Sequence, residues 1–141
     1  MEFQYIRVNY ESVVDWRLCT DILHCKESFH GRQRYDHVIV ATEHRYFFAR
    51  ILRLFKISTA MESHSLAYVQ SYCRPVGQTR RRDKDLGLYR VRVKVNPYEI
   101  ISTESIVRGA LLVQDSERSD DYFIVNTVDG DMFLRMQSLI F

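Results

Sequence analysis

The segment LYRVRVKV, residues 88–95, indicates the fold class of this chain, because apolar and cationic side chains alternate through it from Tyr89 onward. Alternation with a period of two is typical of a β-strand that has one covered face and one solvated face. The inward face comprises Tyr89, Val91, Val93 and Val95, and the outward face comprises Arg90, Arg92 and Lys94. The segment therefore predicts a strand.

Strand-like segments continue on both sides of this one. Upstream, the runs DHVIVAT (36–42), RYFFARILRLFKI (45–57) and SLAYVQSYC (65–73) are rich in β-branched and aromatic residues. Both parities of the second run are apolar, which predicts a strand covered on both faces. Downstream, EIIST, SIVRGALLV and DYFIVNTV are further short apolar runs with turn residues between them. About seven short strands spaced by turns predict a mainly β protein, folded as a small β-barrel.

Two segments have features of helices. In residues 11–29, five apolar side chains recur at intervals of four, four, three and four residues, and Gly31 follows as a helix terminator. These side chains are Val14, Leu18, Ile22, Cys25 and Phe29. We therefore expect an N-terminal helix in front of the barrel. The C-terminal run DMFLRMQSLIF, residues 131–141, fits either a closing helix or an added strand.

Length and composition set the class of protein. A chain of 141 residues with 46% hydrophobic residues fits one domain, here residues 1–141 with a barrel core at about 35–128. No run of 18 apolar residues occurs, so no membrane span is expected, and the N-terminus lacks the apolar run of a signal peptide. Three cysteines form no even disulfide framework, which favours a reducing, intracellular compartment.

Charge is distributed unevenly, although the net charge is only +2. Residues 74–94 contain eight basic residues against two acidic ones, and residues 115–131 contain six acidic residues against one arginine. Separated patches of this kind steer charged partners, and arginine forks bind phosphate. The candidate anion or nucleic-acid ligands are Arg80, Arg81, Arg82 and Lys84 in a loop, with Arg90, Arg92 and Lys94 on the following strand. The alternative is a solvated loop leading into an ordinary charged strand face.

Local motifs give little support for a metal or for catalysis. Cys19, His24, Cys25 and His30 form C-x4-H-C-x4-H, whereas structural zinc sites usually pair ligands two to four residues apart and add a second pair after an intervening segment. We therefore expect core cysteines and surface histidines, with no metal and no other cofactor. The sequence lacks G-x-S-x-G, H-E-x-x-H and a glycine-rich phosphate loop, so we expect a non-enzymatic protein.

Five short motifs follow one another in an informative order: a D-x-V-x-V strand, an R-I pair, a strand ending in aromatic-x-R-P, an S-I element with a glycine, and a strand with Y-F. The residues are Asp36-Val38-Val40, Arg50-Ile51, Tyr72-Cys73-Arg74-Pro75, Ser105-Ile106-Arg108-Gly109 and Tyr122-Phe123. This order resembles a BAH (bromo-adjacent homology) domain over about residues 35–126. GLYRVRV, SIVRGALLV and DGDMFLRM also resemble a small domain of mushroom-forming fungi that is often found near transposable elements.

The BAH resemblance implies a barrel related to the SH3 type and a nuclear, chromatin-associated interaction module that binds histone tails or other protein partners. On this interpretation, Tyr68 or Tyr72, as exposed aromatics, and the acidic segment 115–131 receive a basic peptide. The chain departs from the family at residues 76–79, where VGQT and then arginines replace Glu-Glu-Thr, and no cage aromatics match by position. Two alternatives stay open: phosphate-backbone binding through residues 80–94, and an accessory or relic domain of a mobile element.

Overall fold

The computed structural model describes residues 1–74 and 87–138, and β-strands make up most of this range. The strands are β1 (Glu2–Phe3), β2 (Tyr5–Glu11), β3 (Leu18–Phe29), β4 (Arg32–Tyr35), β5 (His37–Ala41), β6 (Tyr46–Ser58), β7 (Ser63–Cys73), β8 (Tyr89–Ser102), β9 (Ile106–Ala110), β10 (Leu112–Gln114) and β11 (Asp121–Ile124). A short 3-10 helix, Thr103–Ser105, precedes β9, and the α-helix α1 spans Gly130–Ser138. Within the described residues, no helix has the length and apolar content needed to cross a membrane.

Eight antiparallel strands form one sheet, seven of them in the order β10-β11-β8-β7-β6-β5-β9, and β1 pairs with β6 beside this path. Its two edge strands, β9 and β10, are consecutive in the chain and are separated only by Leu111. The carbonyl of Leu111 accepts a hydrogen bond from the Val125 amide at 2.9 Å. Because one short connection joins the two edges, the sheet curls into a nearly closed barrel. The prediction of a mainly β, barrel-like fold is confirmed.

The predicted N-terminal helix is wrong. Residues 5–11 and 18–29 instead form the hairpin β2–β3, with Tyr5 opposite His24 and Glu11 opposite Leu18, and β4 completes a three-stranded sheet. An interval of four residues fits both a helix and a strand, because four is a multiple of two. Leu18 and Ile22 therefore share the exposed face of β3, whereas Leu23 on its other face is buried. The α-helix lies at the C-terminal end of the chain, where the sequence allowed either a helix or a strand.

Two apolar clusters lie on opposite faces of the central strands. Val38 and Val40 of β5 pack with Leu23 of the N-terminal hairpin, and Ile39, between them, packs in the barrel interior with Met132 of α1. Strand β6 is likewise buried on both faces near its start, as its apolar residues of both parities predict. Full burial of an aliphatic or aromatic side chain contributes about 1.5–3 kcal/mol, so these strands form the stable centre of the fold.

A bulge bends β8 at the point where the strand leaves the barrel. Val93 lies opposite Tyr72 and Tyr98 lies opposite Gln70, so four residues of β8 face the single residue Ser71. Bulges tolerate a proline, which cannot donate to the ladder, and Pro97 lies in this one. The bulge also changes the orientation of Val95, which was expected to point inward and is 96% exposed. The strand then continues to Ser102.

A buried ion cluster joins the N-terminal hairpin and α1 to the barrel. Arg108 of β9 is 5% exposed, and its guanidinium donates to Asp131 at 2.7 Å and to Asp129 at 2.8 Å. Burial alone would lower the pKa of Arg108, but its hydrogen bonds to the two carboxylates outweigh burial and raise it. The ring of Tyr10, on β2, lies 4.7 Å from the Arg108 Cζ.

Candidate binding surface

The three longest strands of the barrel sheet, β6, β7 and β8, extend beyond β5 and β11, and β1 pairs with the extended part of β6 at Leu54 and Phe55. Strand β5 pairs with β6 only as far as Arg50, and β11 pairs with β8 only as far as Arg92. On β7, Tyr68, Gln70 and Tyr72 alternate with residues of the opposite face, so all three lie on one side of the sheet. Tyr72 on this side points into the barrel, whereas Tyr68 lies where the barrel has opened.

Beyond the barrel, the side of β6, β7 and β8 that carries Tyr68 has several exposed side chains, and we call this surface the open face. The pairing register sets Arg53 beside Tyr68 and Tyr68 beside Ile100, which places six side chains on one side of three strands. These residues are Arg53, Phe55, Ile57, Tyr68, Tyr98 and Ile100.

The open face is rich in apolar surface. Ile100 is 60% exposed, Tyr98 is 57% exposed and Ile57 is 48% exposed. The rings of Tyr68 and Tyr98 stack with centroids 5.8 Å apart and an interplanar angle of 24°. A shallow pocket of about 460 Å³ is lined in part by Phe55, Ile57, Tyr68 and Ile100. Contiguous exposed apolar groups of this kind are typical of interaction surfaces.

Tyr72, the second candidate for peptide binding, is not on this surface. It is 2% exposed, and its hydroxyl lies 3.1 Å from Nε2 of His37, which is partly buried. Burial raises the pKa of Tyr72, and burial together with nearby Arg50 lowers the pKa of His37 to about 4. The expectation that Tyr72 is exposed is wrong. Of the two tyrosines, Tyr68 lies on the open face.

The cationic face of β8 lies against acidic side chains. Arg90 donates to Asp115 at 2.6 Å and to Asp121 at 2.9 Å, and Arg92 donates to Asp121 at 2.6 Å. Burial alone would raise the pKa of Asp121, but hydrogen bonds from the two arginines hold it below its ordinary value. The basic and acidic segments are thus neighbours, because β11 pairs with β8.

The other predicted anion ligands are placed as follows. Lys94, partly buried, lies in the bulge of β8, two residues after Arg92. Arg80, Arg81, Arg82 and Lys84, which the sequence predicts to lie in a loop, are outside the described residues. Binding of an anion or nucleic acid by this set stays a prediction.

The four residues of the C-x4-H-C-x4-H pattern lie along β3 and the turn after it. Cys25 is buried, its thiol donates to the Leu52 carbonyl at 2.8 Å, and burial raises its pKa. The His24 ring packs 5.0 Å from that of Phe29. In the part of the chain that the structure describes, no three histidine, cysteine or acidic side chains come together in a way that could hold a metal ion.

A larger groove, of about 650 Å³, runs between β1, β3 and β6. Its lining includes acidic residues, Glu2 and Glu27, and basic residues, Lys26 and Arg53. Because both signs of charge are represented, the groove has no strong preference for a charged ligand. The open face, with its apolar residues, is the better candidate for binding.

A polar row borders the open face on the side of the barrel. Cross-strand pairing places His37, Arg50, Gln70 and Tyr98 next to one another on β5, β6, β7 and β8. The Cζ of Arg50 lies 5.5 Å from the centroid of the Tyr35 ring, and the Arg50 Nε is buried without a hydrogen-bond partner among the described residues. Arg50, Tyr98 and Ile100 were not anticipated as site residues, because only the sheet register brings them together.

Comparison with family models, with curated proteins and with solved structures finds no match for this chain. The BAH resemblance therefore stays a prediction. The structure itself defines a mainly β protein with a nearly closed barrel and an exposed apolar sheet face.

Proposed function

We propose that this protein is a non-catalytic interaction module that binds a segment of a chromatin-associated protein on its open face. The observation that supports this proposal is the exposure of Tyr98 and Ile100 beside the stacked ring of Tyr68. The BAH-like order of motifs supplies the expectation that the partner belongs to chromatin, with histone tails and other chromatin proteins as the two sources.

Physical chemistry favours this surface for a peptide. Tyrosine rings provide contact area with few rotatable bonds, so little entropy is lost when a partner covers them. Each large apolar side chain that becomes fully covered contributes about 1.5–3 kcal/mol, before the cost of association. The pocket between Ile57, Tyr68 and Ile100 would accept one apolar side chain of the partner, and the stacked tyrosines would support a neighbouring one.

A peptide array tests the proposal. The array would carry core-histone tails and segments of chromatin-associated proteins, and it would be probed with the wild-type chain and with a Tyr98→Ser/Ile100→Ser double variant. The matched control is Tyr46→Ser, since Tyr46 is also an exposed strand tyrosine but lies at the far end of β6. We expect the array to contain peptides that the double variant binds at least about tenfold more weakly than the wild type does, and that the control variant binds with unchanged affinity. Absence of binding, or binding indifferent to the double variant, would contradict the proposal.

A further inference from the structure

The environment of Arg50 is unusual for an arginine. The residue is partly buried on β6, and its Nε is fully buried with no hydrogen-bond partner among the described residues. The guanidinium Cζ lies 5.5 Å from the centroid of the Tyr35 ring, and its charge contributes to the lowered pKa of His37. Buried polar groups are normally hydrogen-bonded, and a guanidinium offers five donors. Arg50 therefore has donor capacity that the described residues do not use.

The neighbours of Arg50 define where a ligand would approach. Gln70 lies directly opposite on β7, and Tyr98 lies opposite Gln70 on β8. Cross-strand neighbours have Cβ atoms about 4.5–5.5 Å apart, so the Arg50 and Gln70 side chains leave the sheet next to each other on the same face. On the other side, His37 is adjacent, but its Nε2 is engaged with the Tyr72 hydroxyl at 3.1 Å.

Charge around the open face has one prevailing sign. Strand β6 carries Arg50, Arg53 and Lys56 within seven residues. Two nearby carboxylates are already paired, Glu2 with Arg53 at 3.5 Å and Asp36 with Arg34 at 3.2 Å. A partner segment with a carboxylate complements this surface, whereas a purely basic segment does not.

We propose that Arg50, with Gln70, binds a side-chain carboxylate of the partner segment while apolar residues next to that carboxylate cover Tyr98 and Ile100. This inference rests on the proposed function and specifies the chemistry of the partner: an aspartate or glutamate flanked by apolar residues, which selects segments of other chromatin proteins over the basic histone tails. A carboxylate fits better than a phosphate, because a phosphate carries more charge than this one arginine neutralises and Arg53 is already paired.

Four matched peptides test the inference directly. They have the form Gly-Phe-X-Phe-Gly, acetylated and amidated, with glutamate, glutamine, phosphoserine or lysine as X. Titration into the isotopically labelled chain would give the affinity of each peptide and the shift of the Arg50 Nε–H signal. We expect the glutamate peptide to bind about tenfold more tightly than the glutamine peptide, since a hydrogen bond to a charged group contributes about that much.

Substitutions of Arg50 test whether this side chain causes the preference for the glutamate peptide. Arg50→Gln should remove the preference for glutamate over glutamine, and Arg50→Lys should keep only part of it, because lysine lacks the planar fork. Arg118→Gln is the control, since it removes the same charge from an exposed side chain on the far side of β8. Thermal unfolding of Arg50→Gln should be unchanged or shifted upward, because the variant removes a buried donor that has no partner.

The peptide results distinguish failure of the carboxylate site from failure of the proposed function. Equal affinity for the glutamate and glutamine peptides, with binding lost in Tyr98→Ser/Ile100→Ser, overturns the carboxylate site and leaves the proposed function standing. Tighter binding of the phosphoserine or lysine peptide overturns the choice of carboxylate. If none of the four peptides binds and the array is also negative, both the inference and the proposed function are overturned.

Discussion

Arg108 and Asp131 form a buried ion pair with Nη1 and Oδ2 2.7 Å apart, although 23 residues separate them in the chain. Asp131 also accepts hydrogen bonds from the Val13 amide and from Arg135, so one carboxylate connects the N-terminal hairpin, β9 and α1. Burial alone would raise the pKa of Asp131, and these hydrogen bonds hold it low instead. The helix α1 is thus held against the barrel both by this ion pair and by the packing of Met132 in the barrel interior.

Asp131→Asn should destabilise the fold substantially. Removing one partner of a buried pair leaves the other charge uncompensated, which costs about 3 kcal/mol. Urea unfolding would measure this loss, and Asp120→Asn, at an exposed acidic position just before β11, should change the free energy of unfolding by less than about 0.5 kcal/mol. Equal effects of the two substitutions would show that the ion cluster does not hold α1.

Gly109→Ala should also destabilise the fold, through the docking of the N-terminal hairpin. An added Cβ would lie 2.8 Å from Cδ2 of Leu23 and 3.1 Å from Oδ2 of Asp21, both on β3. Because Leu23 is buried, we expect a loss of about 2 kcal/mol. In a double-mutant cycle with Leu23→Ala, the combined loss should be smaller than the sum of the single losses. Strict additivity would argue against this contact.

His37 should make stability depend on pH between about 4 and 6.5. In the folded protein burial lowers its pKa to about 4, whereas in the unfolded chain the pKa is about 6.5. The unfolded chain therefore binds more protons in this interval, and the free energy of unfolding decreases as the pH falls through it. We expect a loss of about 2 kcal/mol from pH 7 to pH 5 by urea unfolding.

A substitution assigns this pH dependence to His37. His37→Gln should flatten the dependence of the free energy of unfolding between pH 7 and pH 5, whatever its effect on stability at pH 7. His44→Gln, which changes a fully solvated histidine, should leave the dependence as it is in the wild type. A slope that persists in His37→Gln would mean that another group is responsible.

Arg92→Gln should have little effect on binding to DNA. The Arg92 guanidinium is already paired with Asp121, so we expect less than about a twofold change in affinity for a duplex and no change in the salt dependence. Loss of a true phosphate contact would reduce the salt slope by about 1.

Replacing Arg80, Arg81, Arg82 and Lys84 by glutamine tests separately whether residues 80–84 contribute to DNA binding. If four loop contacts exist, raising salt from about 50 to 200 mM should weaken wild-type binding by about two orders of magnitude.

The central strands could be predicted from the sequence because their burial is recorded in local patterns. Alternation marks the first half of β8, and apolar residues of both parities mark β6, which is covered on both faces. The hairpin β2–β3 could not be predicted in this way, since Leu18 and Ile22 are exposed apolar residues whose spacing imitates a helix. The β-branched residues around them were the opposing signal.

The open face was only partly predictable. Tyr68 was a candidate, but on β8 beyond the bulge Tyr98 and Ile100 are exposed, whereas Ile101 is buried and Glu99 is partly buried. This arrangement reverses the usual polar-outside pattern, so periodicity cannot identify it. Arg50 belongs to the site through its cross-strand neighbours, which depend on the register with β5 and β7. The register of these two hairpins depends on the turn geometry and on the bulge between Ile51 and Arg53, which the apolar periodicity does not reveal.

Hydrogen–deuterium exchange of the wild-type chain, with and without the array peptide that binds most tightly, tests the central claim most directly. The proposal predicts that the peptide slows exchange in residues 53–58, 66–70 and 98–102, which form the open face, and leaves residues 89–92 and 121–124 unchanged. Protection confined to the segment around Arg90 and Asp121, or no protection at all, would contradict it.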